Sequence, residues 1–207
     1  KTAMNIAFTA PGLKELGVPD SILAGFSHEF RGGMGQESRA RQLGDVGENA
    51  PSNWAWGSHG REPHALVMFF AEPDQFDSFV HSSRDQNWNT AFEEVTLLGT
   101  SNLDGDEPFG FADGISQPQI DWEQQLKRPC TQLGYTNAVA LGEFLLGYPN
   151  EYGKITDRPL LDPDAATSDL LNAQDWPAKK DLARNGSYLV LRQLEQDVRG
   201  FWKFLHE

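Results

Sequence analysis

The sequence predicts an α+β fold built on an antiparallel sheet, and three observations carry that expectation. Residues 64–71 form a continuous apolar run, His64-Ala65-Leu66-Val67-Met68-Phe69-Phe70-Ala71, bounded by Pro63 and Pro73, as a buried strand requires. Phe76, Phe79 and Val80 then recur at helical spacing on a segment starting near Pro73. The same order returns near the end, where a β-prone run at 187–191 precedes Leu194, Val198, Phe201, Trp202 and Leu205 at i, i+4, i+7, i+8 and i+11. A strand feeding an amphipathic helix that covers one sheet face is the building unit of such layered folds.

The remaining elements follow in chain order. Residues 4–8 read as a buried strand, and 11–16 as a short helical turn opened by Pro11 and closed by Gly17. From Gly25 to Gly60 apolar periodicity is poor, which predicts a long irregular excursion with one helix around 37–42. An excursion of that length inside a domain points to a functional role. Residues 92–98 read as a strand through the Val95 and Leu97 alternation. A loop over 100–118 and a polar connector through Pro129 come next. Residues 141–148 read as a short helix running into a turn at 149–153, and 157–180 as an acidic, Pro-rich connector. The final helix stops at Glu207, where a β-α-β domain would continue, so the chain reads as cut at the start of a second α/β unit.

Thirty acidic against seventeen basic residues give a net charge of −13 over 207 residues. That balance argues against a nucleic-acid partner or an anionic membrane surface, both of which need a basic footprint. No apolar stretch approaches the ~18 residues of a membrane span. The opening Lys1-Thr2-Ala3-Met4 lacks a secretory apolar region and an initiator Met, leaving an upstream segment removed or outside this chain. Cys130 is the single cysteine, so an internal disulfide is excluded and a cytoplasmic, reducing setting is favoured over secretion. The Asn185-Gly186-Ser187 sequon is too common a triplet to reverse that.

The stretch Gly110-Phe111-Ala112-Asp113-Gly114-Ile115-Ser116-Gln117-Pro118 sets one carboxylate on a glycine-hinged turn. Gly110 and Gly114 permit positive φ or close approach of another body, and Asp113 can cap its own turn. Taken alone, an Asp-Gly pair reads as an ordinary turn. The whole stretch closely resembles the GFxDG signature of dye-decolorising haem peroxidases. Residues 142–153, Gly142-Glu143-Phe144-Leu145-Leu146-Gly147-Tyr148-Pro149-Asn150-Glu151-Tyr152-Gly153, resemble that family's GEFxLGYxNEYG segment. Residues 5–9 with Gly12, Leu13, Leu16 and Gly17 resemble its first-domain strand and turn. Residues 184–190 with Arg192, Leu194, Glu195, Gln196 and Asp197 resemble the opening of its second domain.

The resemblance implies a ferredoxin-like fold of the dimeric α+β barrel-like superfamily. It divides the chain into an incomplete N-terminal domain (1–120), an irregular connector (121–185) and the first strand and helix of a truncated C-terminal domain (186–207). It implies haem b in the intact protein, with Asp113 over its distal face handling the protons of hydrogen peroxide. Gly114 would allow backbone approach to the porphyrin, Ile115 would supply apolar contact and Ser116 a hydrogen bond. The function so implied is a haem-dependent peroxidase that oxidises phenols and aromatic dyes. The family's iron ligand lies beyond the portion resembled, so haem is expected to be weak or absent in this chain alone. The alternative is a non-catalytic structural or partner module, its C-terminal helix covered by another polypeptide or an oligomer partner. A Trp-rich carbohydrate-binding module would need strand repeats that the sequence lacks.

Other candidates read more plainly. His59 and His64 have no Cys companion, and His28, His81 and His206 are isolated, with His206 the first candidate for a substitute iron ligand. Asn102, Asp104, Asp106 and Glu107 lack calcium-loop spacing and read as a solvated loop. Gly32-Gly33-Met34-Gly35 lacks the Lys-Ser/Thr of a phosphate loop and reads as a tight bend. Of six tryptophans, Trp202 reads as core, while Trp122 and Trp176 in polar connectors read either as exposed or, preferably, as packing anchors for their loops.

Overall fold

The computed structural model describes residues 1–100, 106–112, 114–124 and 137–207. These fall into two units, Lys1–Leu97 with Asp157–Leu182 and Leu98–Thr156 with Ala183–Glu207.

In the first unit β1 (Thr2–Phe8) pairs antiparallel with β2 (Ala65–Ala71), setting Met4 opposite Phe69 and Ile6 opposite Val67. Four short helices lie between them: α1 (Ala10–Glu15), α2 (Asp20–Leu23), α3 (His28–Gly32) and α4 (Glu37–Leu43). Single 3₁₀ turns at Gly47–Asn49 and Pro51–Asn53 follow. Thr9 starts α1, its Oγ1 accepting from the Gly12 amide at 3.1 Å and donating to the Pro63 carbonyl at 2.7 Å. It thereby ties the end of β1 to the entry of β2. Gly12 is needed there for a second reason, because a Cβ would collide with the His64 backbone. The expected helix around 37–42 is present as α4, but the excursion around it is more helical than its periodicity predicts. Helices of four to seven residues are too short to show a repeating apolar stripe.

α5 (Phe76–Ser83) and α6 (Trp88–Ala91) come after the sheet. Phe79 meets Phe69 edge-on at 5.9 Å and Trp88 lies 6.0 Å from the same ring, so the helix covers β2 as expected. Two expectations are corrected here. The 4–8 strand is not buried: Met4 is 54% and Ile6 47% exposed, because α5 packs against β2 and leaves β1 uncovered. Residues 92–98 form no strand. Trp88 holds the Phe92 ring at 4.7 Å and Arg84 holds Glu94 at 2.6 Å, and no ladder partner takes up the backbone that follows.

In the second unit β3 (Gln119–Ile120) and β4 (Ala138–Val139) pair in parallel, a departure from the antiparallel expectation. The helix expected at 141–148 reduces to one 3₁₀ turn at Leu141–Glu143, and the following turn closes through the Asn150 amide on the Lys154 carbonyl at 2.9 Å. α7 (Val198–His206) is the longest helix described, capped by Asp197 accepting from the Gly200 amide at 2.8 Å. The strand expected at 187–191 does not form. β propensity there meets no pairing edge, and Val190 is 71% exposed.

The second stretch of the first unit carries β5 (Leu160–Leu161), antiparallel to β6 (Lys180–Asp181). The fold is therefore α+β at the level of small two-stranded sheets and short helices. Among the described residues no sheet is larger or closed.

Thr9 gives the fold its simplest test. Thr9→Ala is expected to lower stability by about 1 kcal/mol, the usual worth of an N-cap, and Thr9→Ser by much less. Urea unfolding of the three proteins measures it, and equal midpoints for wild type and Thr9→Ala would contradict the capping role.

Candidate functional site

The two glycines on either side of Asp113 in the sequence adopt the backbone expected of them. Gly110 and Gly114 both take positive φ, +82° and +80°, a region that side chains other than glycine enter at a cost. Asp106 bridges Ala112, and the Glu107 amide donates to the Phe111 carbonyl at 2.7 Å. Phe109 and Phe111 then rest on α7: Phe109 lies 5.1 Å from Phe201, and Phe111 lies 6.2 Å from Phe201 and 6.5 Å from Trp202. One part of the apolar stripe of α7 thus anchors the turn. Trp202 is a partly exposed member of this cluster and not a core residue, while Phe204 and Leu205 remain uncovered. Ile115 is 78% exposed, and Gly114 and Ser116 are exposed beside it. Asp113 lies outside the described residues, as do Asn102, Asp104 and Cys130. Asp106 and Glu107 are exposed, as a solvated loop requires, and Trp122 and Trp176 are exposed and not packed as loop anchors.

Residues 142–153 and 184–187, far apart in sequence, dock on each other in the second unit. The Leu146 amide donates to the Gly186 carbonyl at 2.9 Å, and the Asn185 amide returns to Leu146 at 3.2 Å. The Tyr148 hydroxyl meets Asn185 Oδ1 at 2.6 Å, the Arg184 guanidinium lies 4.7 Å over the Tyr148 ring, and Ser187 donates to the Phe144 carbonyl at 2.6 Å. Asn185 holds φ +69°, the left-handed conformation that asparagine tolerates best after glycine. The two glutamates bind backbone: Glu143 accepts from the Glu151 amide at 2.7 Å, and Glu151 accepts from the Ala140 amide. Both carboxylates therefore shape the turn.

The first unit holds a buried charge cluster that sequence reading missed. Arg158 has 4% of its side chain exposed; its Nε donates to Asp181 at 2.8 Å, where the carboxylate is fully enclosed. Its Nη1 donates to Asp175 Oδ2 at 3.0 Å and its Nη2 to the other oxygen, a bidentate pair. The hydrogen bonds to Asp175 hold that carboxyl below its ordinary pKa. The same bonds, outweighing burial, raise that of Arg158. The available signal was that Arg158 is the lone basic residue between Lys154 and Lys179.

A haem is a flat apolar plate that needs an enclosed slot and an axial donor facing it. All five histidines are exposed; His28 contacts Gln36 at 3.3 Å and His59 lies 3.5 Å from Glu62. Shallow clefts of about 410 and 280 Å³ flank Gly35 and Glu37, and neither is lined by Gly114, Ile115 or Ser116. The three-glycine segment lines the smaller cleft, with Gly33 at φ +67° making the expected bend. Among the described residues no group of three or more His, Cys, Asp or Glu is placed to hold a metal ion. The donors described do not fit a haem. Nor is any described helix long and apolar enough to cross a membrane.

No protein-family model matches the chain. It is similar to the dye-decolorizing peroxidase msp1 of Mycetinis scorodonius, 27% identical over 100% of this chain and 35% of that protein. Peroxidase 2 of the same organism is 30% identical over 99% of the chain and 34% of its own length. The dye-decolorizing peroxidase AauDyP1 of Auricularia auricula-judae is 27% identical over 98% and 33%. The chain spans about a third of the length of the curated relatives it matches. The expected haem-dependent peroxidase is accordingly corrected for this chain: the similarity is shown, but the side chains described gather no iron-holding group.

The buried cluster yields a firm expectation. Arg158→Met leaves the enclosed Asp181 charge uncompensated and should cost about 3–5 kcal/mol of stability. Pairing it with Asp181→Leu should recover most of that loss, because no buried charge is then stranded. Chemical denaturation of both variants tests this, and a single variant as stable as wild type would contradict it.

Proposed function

We propose that this chain is a non-catalytic structural or partner module of the dye-decolorising peroxidase lineage. One observation carries the reading: the chain is similar to dye-decolorizing peroxidases, yet among its described residues no group of three or more His, Cys, Asp or Glu is placed to hold a metal ion. The exposed histidines support it, since a module of this kind has no need to hold iron. In this reading β1, β2 and α5 correspond to part of a ferredoxin-like domain over 1–120. Residues 121–185 connect it to the first strand-and-helix portion of a second domain at 186–207. Haem b, peroxide and aromatic reductants then belong to whole-length enzymes, and Asp113, Gly114, Ile115 and Ser116 remain as the turn that would face such a site. Phe204 and Leu205 on α7 form the apolar surface a partner polypeptide would cover. The lone Cys130 favours a reducing compartment.

Titration of the purified chain with ferric haem, followed in the Soret region with an iron assay, tests the reading. Absorbance is expected to rise without a saturable, stoichiometric component, and peroxide-driven dye oxidation should not exceed that of free haem. A 1:1 complex with a histidine-ligated spectrum would overturn the reading.

A further inference from the structure

The strap 157–182 is closed at two levels by one guanidinium. At its base Arg158 Nε holds the enclosed Asp181, and the Leu182 amide donates to the Pro159 carbonyl at 3.2 Å. Toward its tip the same guanidinium holds Asp175, whose side chain is 43% exposed. The tip is a small closed turn: the Ala173 amide donates to the Lys179 carbonyl and the Lys179 amide to the Trp176 carbonyl, both at 2.9 Å. Solvent protons therefore reach the outer carboxylate while the inner one is enclosed.

We propose that the strap is a two-level clasp whose outer level, Arg158 with Asp175, opens in acid and frees the turn carrying Trp176, while the base at Arg158 and Asp181 stays closed. Protonated Asp175 is no longer an anionic acceptor for both guanidinium N–H groups, and the tip loses its tether. The direction follows from linkage. Because Arg158 lowers the Asp175 pKa in the folded chain, the tether is fully present above the ordinary aspartate range and is lost as pH falls through the lowered value.

Of the other charges around the clasp, Asp157, the chain neighbour of Arg158, is exposed to water, and the rest are engaged. Lys179 pairs with Asp162 at 2.6 Å, and Lys180 donates to the Leu170 carbonyl at 2.8 Å. Asp164 accepts from the Thr167 amide at 2.8 Å, and Asp169 contacts Ser168 at 3.4 Å. α2, whose exit at Gly25 adjoins Pro159, carries Asp20, which is paired with Lys14 at 3.0 Å. Among the described residues Asp162 is thus the other carboxylate tied to the tip, through Lys179.

Amide hydrogen exchange of the full chain across an acid pH series decides the matter. Protection of Ala173 and Lys179 should fall by about tenfold or more, the worth of a charge-assisted hydrogen bond. Leu182 and Asp181, whose amides bond Pro159 and Leu171 at the base, should keep theirs. Asp175→Asn should show low tip protection at every pH, and Asp162→Asn should retain the wild-type step. Base and tip amides losing protection together, or a tip without pH dependence in the wild-type chain, would overturn the clasp. A step abolished by Asp162→Asn would transfer the switch to the Lys179 pair and equally overturn it.

Discussion

Among the described residues the buried apolar side chains are Ala10, Leu23, Ala40, Leu141, Leu146 and Ala173. Three are alanines, and a fully buried leucine contributes only about 1.5–3 kcal/mol against an ordering cost of about 1–2 kcal/mol for each residue. Half-covered side chains such as Phe69 and Phe201 add to this, but each keeps part of its surface in water. With so little apolar burial, each unit depends on polar closures between distant chain segments. That constraint explains why the most enclosed side chain of the first unit is a carboxylate, Asp181, and why its partner is an arginine.

The second unit meets the same constraint differently. Its closures are mostly backbone amides and carbonyls, joined by Tyr148, Asn185 and Ser187, with no enclosed ion pair described. Close backbone approach is essential to them, and Gly142 is the clearest case. A Cβ there would collide with the backbone of Tyr148 and Pro149, where Gly142 donates to the Pro149 carbonyl at 3.1 Å. Residues 142–153 and 184–187 are therefore the segments whose mutual contacts close this unit. Both segments act here through hydrogen bonds and ring contacts, apart from any chemistry at the signature turn. The aromatic anchoring of that turn on α7 is of the same kind.

Local features were legible in the sequence and pairings were not. β2 could be read from its bounded apolar run, α5 and α7 from their helical spacing, and α1 from Pro11 and Gly17, because each signal is complete within a few residues. Residues 92–98 and 187–191 carry the composition of strands but lack a partner edge, and strand formation depends on that edge. The Arg158 cluster was illegible for a related reason: its partners lie 17 and 23 residues away in what reads as a solvated acidic connector. At the candidate site the sequence pointed to the two glycines that take positive φ. It could not reveal that all five histidines stay on the surface, since exposure is decided by what the fold leaves uncovered.

The dependence of unfolding free energy on urea measures this account most directly, because its slope scales with the surface newly exposed on unfolding. For small proteins the slope is about 1–3 kcal/mol/M and rises with chain length. A chain of 207 residues held by polar closures over a small apolar core should give a value at or below the lower end of that range. A single cooperative transition with a slope at or above the upper end would mean that a full-sized core forms, and would contradict the account.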